Sequence, residues 1–173
     1  MLVLGVDPGY DRCGYAIADC GTDSNVTVLS SGVIQTHRRF TLAVRLHELA
    51  GRLDELIAAW QPQVLAAEEI YFTKNVKTAI RVAQARGVLL EHAAAAGLEV
   101  VEYTPTEIKN QLTGNGHASK AQIAYIVERL VALPPTARLD DELDAIAAVL
   151  CYHQRLKAPA ELKQPESTPG EKP

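Results

Sequence analysis

The stretch Leu2-Val3-Leu4-Gly5-Val6-Asp7-Pro8-Gly9 opens the chain with an apolar run that ends abruptly at a carboxylate and a turn. Such a run, bounded by Pro-Gly, reads as a buried strand. Functional groups of α/β sheets gather beyond the carboxyl ends of such strands, so Asp7 stands where a site forms. A second run, residues 64–67, ends the same way in Glu68-Glu69 and reads as a central strand. Two strands that each finish in a carboxylate set the question for the rest of the chain.

Working outward, residues 14–18 and 26–36 are β-rich and separated by a loop-forming stretch at 20–25, which predicts an antiparallel meander with the first strand. Leu42, Leu46, Leu49, Leu53, Leu56 and Ile57 recur at helical spacing within 41–60, and Gln61-Pro62 ends that helix. Residues 75–96 form a long helical segment closed by Gly97, with Ala79, Ala83 and Gly87 spaced to share a face of little bulk. A fifth strand follows at 99–103, then a short helix at 105–112 and a loop at 113–116. Two further helices are expected at 118–133 and 139–156, split by Pro134-Pro135. Three strands, helix, strand, helix, strand and then helices predict an α/β fold: a five-stranded mixed sheet with helices on both faces.

A hydrophobic share of 47% against 22% charged residues excludes global disorder. One domain over 1–157 is expected, followed by a disordered Pro-, Glu- and Lys-rich tail at 158–173. No run reaches the roughly 18 apolar residues a membrane helix needs. The first residues lack a basic region and a cleavage site, so a cytoplasmic protein without a signal peptide is expected. Cys13, Cys20 and Cys151 lack metal-ligand spacing and read as small buried thiols. The net charge of −4 argues against nucleic acid only if the acids are spread evenly.

Asp141 and Asp144, near the start of the last helix, are three residues apart, which puts their Cβ atoms roughly 5–6 Å from each other. Taken singly, each acid has an ordinary explanation. Asp7 suits a turn, Glu68 or Glu69 a solvated strand end, and Asp140, Asp141 and Glu142 a helix N-terminus. Taken together, two such charges at 4 Å repel by about 4 kcal/mol at an effective dielectric of 20. Either a proton or a hard cation must then enter. An all-carboxylate set suits Mg²⁺ or Mn²⁺ rather than zinc. Two such ions, about 3.5–4 Å apart, can clamp a phosphodiester for hydrolysis.

Three motifs give these residues a context. They are Leu4-Gly5-Val6-Asp7-Pro8-Gly9 with Gly14-Tyr15; Ala67-Glu68-Glu69-Ile70-Tyr71 running into Lys74-Asn75 and Gln84-Ala85-Arg86-Gly87; and Asp141-Glu142-Leu143-Asp144-Ala145-Ile146-Ala147. In this order they resemble the RuvC family of crossover junction endodeoxyribonucleases, over essentially residues 2–156. The resemblance implies a ribonuclease-H-like fold and a metal-dependent nuclease that resolves four-way (Holliday) DNA junctions in recombination and repair. It implies Asp7, Glu68, Asp141 and Asp144 as ligands of two Mg²⁺ or Mn²⁺ ions, choosing Glu68 over Glu69 and Asp141 over Asp140. It further implies a homodimer that cuts opposing strands, and a branch-migration helicase complex as partner.

Lys74, Lys77, Arg81 and Arg86 fall between Tyr71 and Gly87 without an acid among them. They read equally as a solvated helix face or as a phosphate-tracking surface, and proximity to Glu68 favours the latter. Tyr71 or Phe72 offers a ring for an unpaired base. The resemblance assigns that role to Tyr71 and implies DNA contacts at Lys74 and Asn75. It also sets Lys109 and Lys120 near the reacting phosphate, Lys120 with a catalytic role. His117 follows a Gly-Asn-Gly loop that lacks the Gly-Lys-Ser/Thr ending of a P-loop and reads as a phosphate contact. Competing readings are a nuclease for other branched nucleic acids, an ATP-binding domain of the kind that opens with Asp-x-Gly, and a catalytically dead binding module.

Overall fold

The structure is a computed structural model and describes residues 1–21, 25–69, 76–131 and 139–157. Strands β1 (Leu2–Asp7), β2 (Arg12–Cys20), β3 (Val26–Gln35), β4 (Val64–Glu68) and β5 (Glu99–Tyr103) form one sheet in the order β3-β2-β1-β4-β5. The meander β1-β2-β3 is antiparallel, while β1, β4 and β5 run parallel. Helices α1 (Leu42–Trp60), α2 (Val76–Ala95), α3 (Pro105–Thr113), α4 (Lys120–Leu130) and α5 (Asp140–Lys157) complete the described residues. The mixed sheet matches the expected class.

Side-chain alternation along β1 and β4 divides the core in two. Leu4, Val6, Leu65 and Ala67 face α1 and α2, where they pack with Leu49, Leu53, Ala85 and Leu89. Val3, Val64 and Ala66 face the other way, against Ile108 of α3, Ile123 and Val127 of α4 and the apolar side of α5. Helices therefore cover both faces, as the order of segments predicts.

Several elements differ in extent from the sequence reading. Strand β2 is longer than 14–18 because β3 continues to pair with it, from Arg12 opposite Gln35 to Cys20 opposite Val26. Helix α4 starts at Lys120 rather than 118. Ser119 Oγ accepts from the Gln122 N–H at 3.3 Å while the Gln122 side chain accepts from the Ser119 N–H at 2.8 Å, a capping box that fixes the first turn. The expected end of that helix at 133 and the tail at 158–173 lie outside the described residues. Among the described residues no helix is long and apolar enough to cross a membrane. All three cysteines are buried and free.

Helix α5 is the central element of its face. It carries Ala145, Ala147 and Ala148, all buried, so its backbone can come close to the sheet. The strands answer with glycine. A Cβ at Gly5 would overlap the Ala145 carbonyl oxygen, and one at Gly14 would overlap that of Asp141. Gly5→Ala is predicted to destabilise the fold by about 1–3 kcal/mol through overpacking. Urea denaturation measures this, and a wild-type midpoint would show that α5 does not need the close approach.

Candidate active site

The same alternation that sends Val3 and Val64 toward α5 sends Asp7 and Glu68 there too. The parallel register pairs Val6 with Ala67, so Asp7 and Glu68 fall side by side one step further along. This settles which acid of the Glu68-Glu69 pair faces the cleft. Glu69 has left the strand, is exposed, and donates its N–H to the Tyr103 carbonyl at 2.8 Å.

Helix α5 brings a third carboxylate. Asp7, Glu68 and Asp144 line one cleft of about 290 Å³ together with Lys109 and Lys120. Lys120 Nζ donates to Asp144 Oδ2 at 3.2 Å; its side chain is 73% exposed against 24% for Asp144. Asp141 does not line this cleft. Its Oδ2 lies 2.9 Å from an Arg12 guanidinium nitrogen, an ion pair whose angle falls short of a hydrogen bond, and it borders a different cleft. The spacing of Asp141 and Asp144 predicts a shared face; Asp141 is paired with Arg12, yet it lies near enough for its charge to raise the pKa values of Asp7 and Asp144. Asp140 is exposed.

Burial, followed by repulsion from Glu68, Asp144 and Asp141, raises the Asp7 pKa to about 7 despite the opposing pull of Lys120. Burial and the charge of Asp144 likewise raise Glu68 to about 7, against Lys120 and Lys109. Asp144 is also raised, chiefly by burial, with Lys120 pulling the other way. Burial works to lower the Lys120 pKa, but the charge and hydrogen bond of Asp144, with Asp140 and Asp7, outweigh it and raise that pKa. Three carboxylates thus face two lysines in the cleft, and burial makes ionising them all costly.

The other expected contacts divide into three groups. Lys109 and Lys120 line the cleft. Lys77 and His117 are exposed, and the guanidinium carbon of Arg81 lies 5.7 Å from the Tyr10 ring centroid. Arg86 is engaged internally: its Nε donates to Glu102 Oε1 at 2.7 Å on β5, which removes it from the proposed basic track. Tyr71, Phe72, Lys74 and Asn75 lie outside the described residues. Two arginines were not singled out from the sequence. Arg12 pairs with Asp141, and Arg45 is buried among Tyr10, Asp11 and Thr36. The signal for Arg45 was its place four residues before Leu49 and eight before Leu53, on the inward face of α1.

Comparison with known proteins gives this geometry a family. The family model for crossover junction endodeoxyribonuclease RuvC matches residues 3–152. A crossover junction endodeoxyribonuclease RuvC from Pelotomaculum thermopropionicum is 41% identical over 88% of this chain and 92% of its own length. The chain belongs to the RuvC family. Among solved structures, Thermus thermophilus RuvC superposes with a TM-score of 0.81 at 28% identity, over 91% of this chain and 97% of that one. T. thermophilus RuvC in complex with Holliday junction substrate gives 0.81 at 29% identity, over 87% and 92%. The ribonuclease-H-like architecture is therefore the observed one.

RuvC nuclease chemistry requires divalent metal, and the donor set here fits it: three half-buried carboxylates in one cleft, with no Cys or His among the described residues that line it. Among the described residues no three acidic, His or Cys side chains enclose an ion as they stand. Lys120 and Arg12 hold two of the acids instead.

The raised carboxylates carry a stability signature. A carboxyl whose folded pKa exceeds its unfolded value of about 4 favours the folded state at low pH and loses that advantage as pH rises through the folded value. In EDTA, Asp7 and Glu68 are expected to make the protein melt at lower temperature at pH 8 than at pH 5.5, and Asp7→Asn should shrink the difference. Mn²⁺ should raise the melting temperature more at pH 8, where protons no longer compete. A pH-independent Mn²⁺ effect would contradict the cleft as its site.

Proposed function

We propose that this chain is a structure-selective endonuclease that resolves four-way DNA junctions by metal-dependent, symmetric phosphodiester hydrolysis in recombination and repair. The observation that carries this reading is the placement of Asp7 and Glu68 on neighbouring strands beside Asp144 in one cleft. The RuvC family supports the substrate class, since its T. thermophilus member is solved with a Holliday junction substrate.

In this reading Asp7, Glu68 and Asp144 hold two Mg²⁺ or Mn²⁺ ions, with Asp141 joining them from the rim. When bound, such ions activate the attacking water and stabilise the leaving oxygen. With cations on the carboxylates, Lys120 would be released from Asp144, and its exposed ammonium would be placed to meet charge developing on the phosphoryl group. Lys109 steadies the same strand from the cleft wall. Lys77, Arg81 and His117, with Lys74 and Asn75, track flanking phosphates, and Tyr71 stacks on a base unpaired at the junction centre.

Two-fold cutting calls for a dimer. Helix α2 supports one, although the face differs from the expected Ala79/Ala83/Gly87 stripe. Ala79 is buried, while Ala83 and Gly87 lie exposed beside Val76 and Ile80, which are 68% and 55% exposed. Among the described residues, none outside the adjoining turns of α2 lies within 4 Å of where a Gly87 Cβ would be. Apolar residues at this spacing form one ridge that a second copy can cover. The reading extends by family to a branch-migration helicase complex as partner.

The test is incubation with a synthetic four-way junction and with duplex DNA, each with Mg²⁺ or Mn²⁺. Symmetric nicking of the junction with little duplex cleavage is expected. Asp7→Asn should lower the cleavage rate more than about 100-fold, as loss of an electrostatic stabiliser does, while junction binding persists on the basic side chains. Wild-type cutting by that variant would falsify the assignment. Ile80→Asp should convert a dimer to a monomer in light scattering and abolish paired nicks; a wild-type monomer would remove α2 as the interface.

A further inference from the structure

A second cleft, of about 850 Å³, is bordered by Gly9, Arg12, Thr36, His37, Arg38 and Asp141. It meets the first through α5: Asp141 lines one, and Asp144, one turn later, lines the other. Its walls are held by a buried arginine. Arg45 Nε donates to Thr36 Oγ1 at 2.9 Å, its Nη2 donates to the Tyr10 carbonyl at 2.7 Å, and it pairs with Asp11. Thr36 Oγ1 donates to the same Tyr10 carbonyl at 2.6 Å, and the Thr36 N–H donates to the Asp11 carbonyl at 3.1 Å. The turn after β1 and the end of β3 are thereby fixed to each other.

Two guanidiniums stand free to exchange on this frame. Arg38 reaches Asp11 at 3.3 Å with its side chain 82% exposed, and Arg45 already compensates Asp11 from within. An exposed pair of that kind contributes little. Arg12 is 44% exposed, and its partner is Asp141, the carboxylate that the functional reading turns toward metal. When Asp141 turns, Arg12 loses its anion and the cleft gains net positive charge. A backbone phosphate fits that vacated guanidinium, since its oxygens accept the paired donors a carboxylate accepts.

We infer that this cleft is a second phosphate subsite, which takes a junction strand through Arg12 and Arg38, with Arg12 exchanging the Asp141 carboxylate for a strand phosphate. Strand binding here and completion of the metal site then favour each other, because both draw on the same ion pair. The inference rests on the junction-nuclease reading.

The test is junction binding by the full chain in EDTA, followed by fluorescence anisotropy across a salt series. Arg38→Gln and Arg12→Gln should each weaken binding several-fold, and the double variant should lower the salt slope by about two. Arg52→Gln, which removes an exposed guanidinium paired with Glu55 on α1, serves as the surface control and should match wild type. Asp141→Asn should tighten binding while Arg12 is present and have no effect in the Arg12→Gln background. Wild-type affinity and slope in the Arg12/Arg38 double variant would overturn the subsite, and equal tightening with and without Arg12 would overturn the exchange. A wild-type chain that binds no junction would instead overturn the functional reading.

Discussion

The close approach of α5 to β1 and β2 is the constraint on which the site depends. Gly5 and Gly14 leave the strands without side chains where Ala145 and Asp141 pass over them. The helix lies against the strands through backbone contact, and this holds Asp144 beside Asp7 and Glu68. Ser31 Oγ, donating to Glu142 Oε1 at 2.7 Å, ties the first turn of α5 to β3 as well. The three acids of that turn also lie at the positive end of the helix dipole, which favours them there without any metal.

Apolar runs that stop abruptly at a carboxylate made much of this legible in advance. Asp7 and Glu68 sit at the ends of apolar runs, and the strand count and helix order led to the observed sheet. Choosing Glu68 over Glu69 required the family resemblance at first, yet the register with β1 yields the same answer from physics alone. What stayed hidden were pairings between residues distant along the chain. Arg12 with Asp141 and Arg86 with Glu102 are long-range ion pairs, and no local pattern announces which cation an acid meets. Arg86 looked like part of a basic track because its neighbours were basic; the strand β5 beside it decides otherwise.

The carboxylate cleft illustrates how one excess of charge is met in alternative ways. Protons, Lys120 and divalent cations compete for the same oxygens, and partial burial sharpens the competition by weakening their hydration. Such a cluster costs folding free energy when left uncompensated, so binding a cation adds stability and assembles the reactive arrangement together.

The arginines around the second cleft show that exposure separates a structural cation from an exchangeable one. Arg45 is buried at 6% exposure and engages a hydroxyl, a carbonyl and a carboxylate at once, so releasing it would strand several polar groups. Arg12 and Arg38 hold similar partners from partly solvated positions, where water and salt already weaken the pair. The same residue type therefore braces a turn in one place and waits for an anion in another. Burial rather than charge decides which.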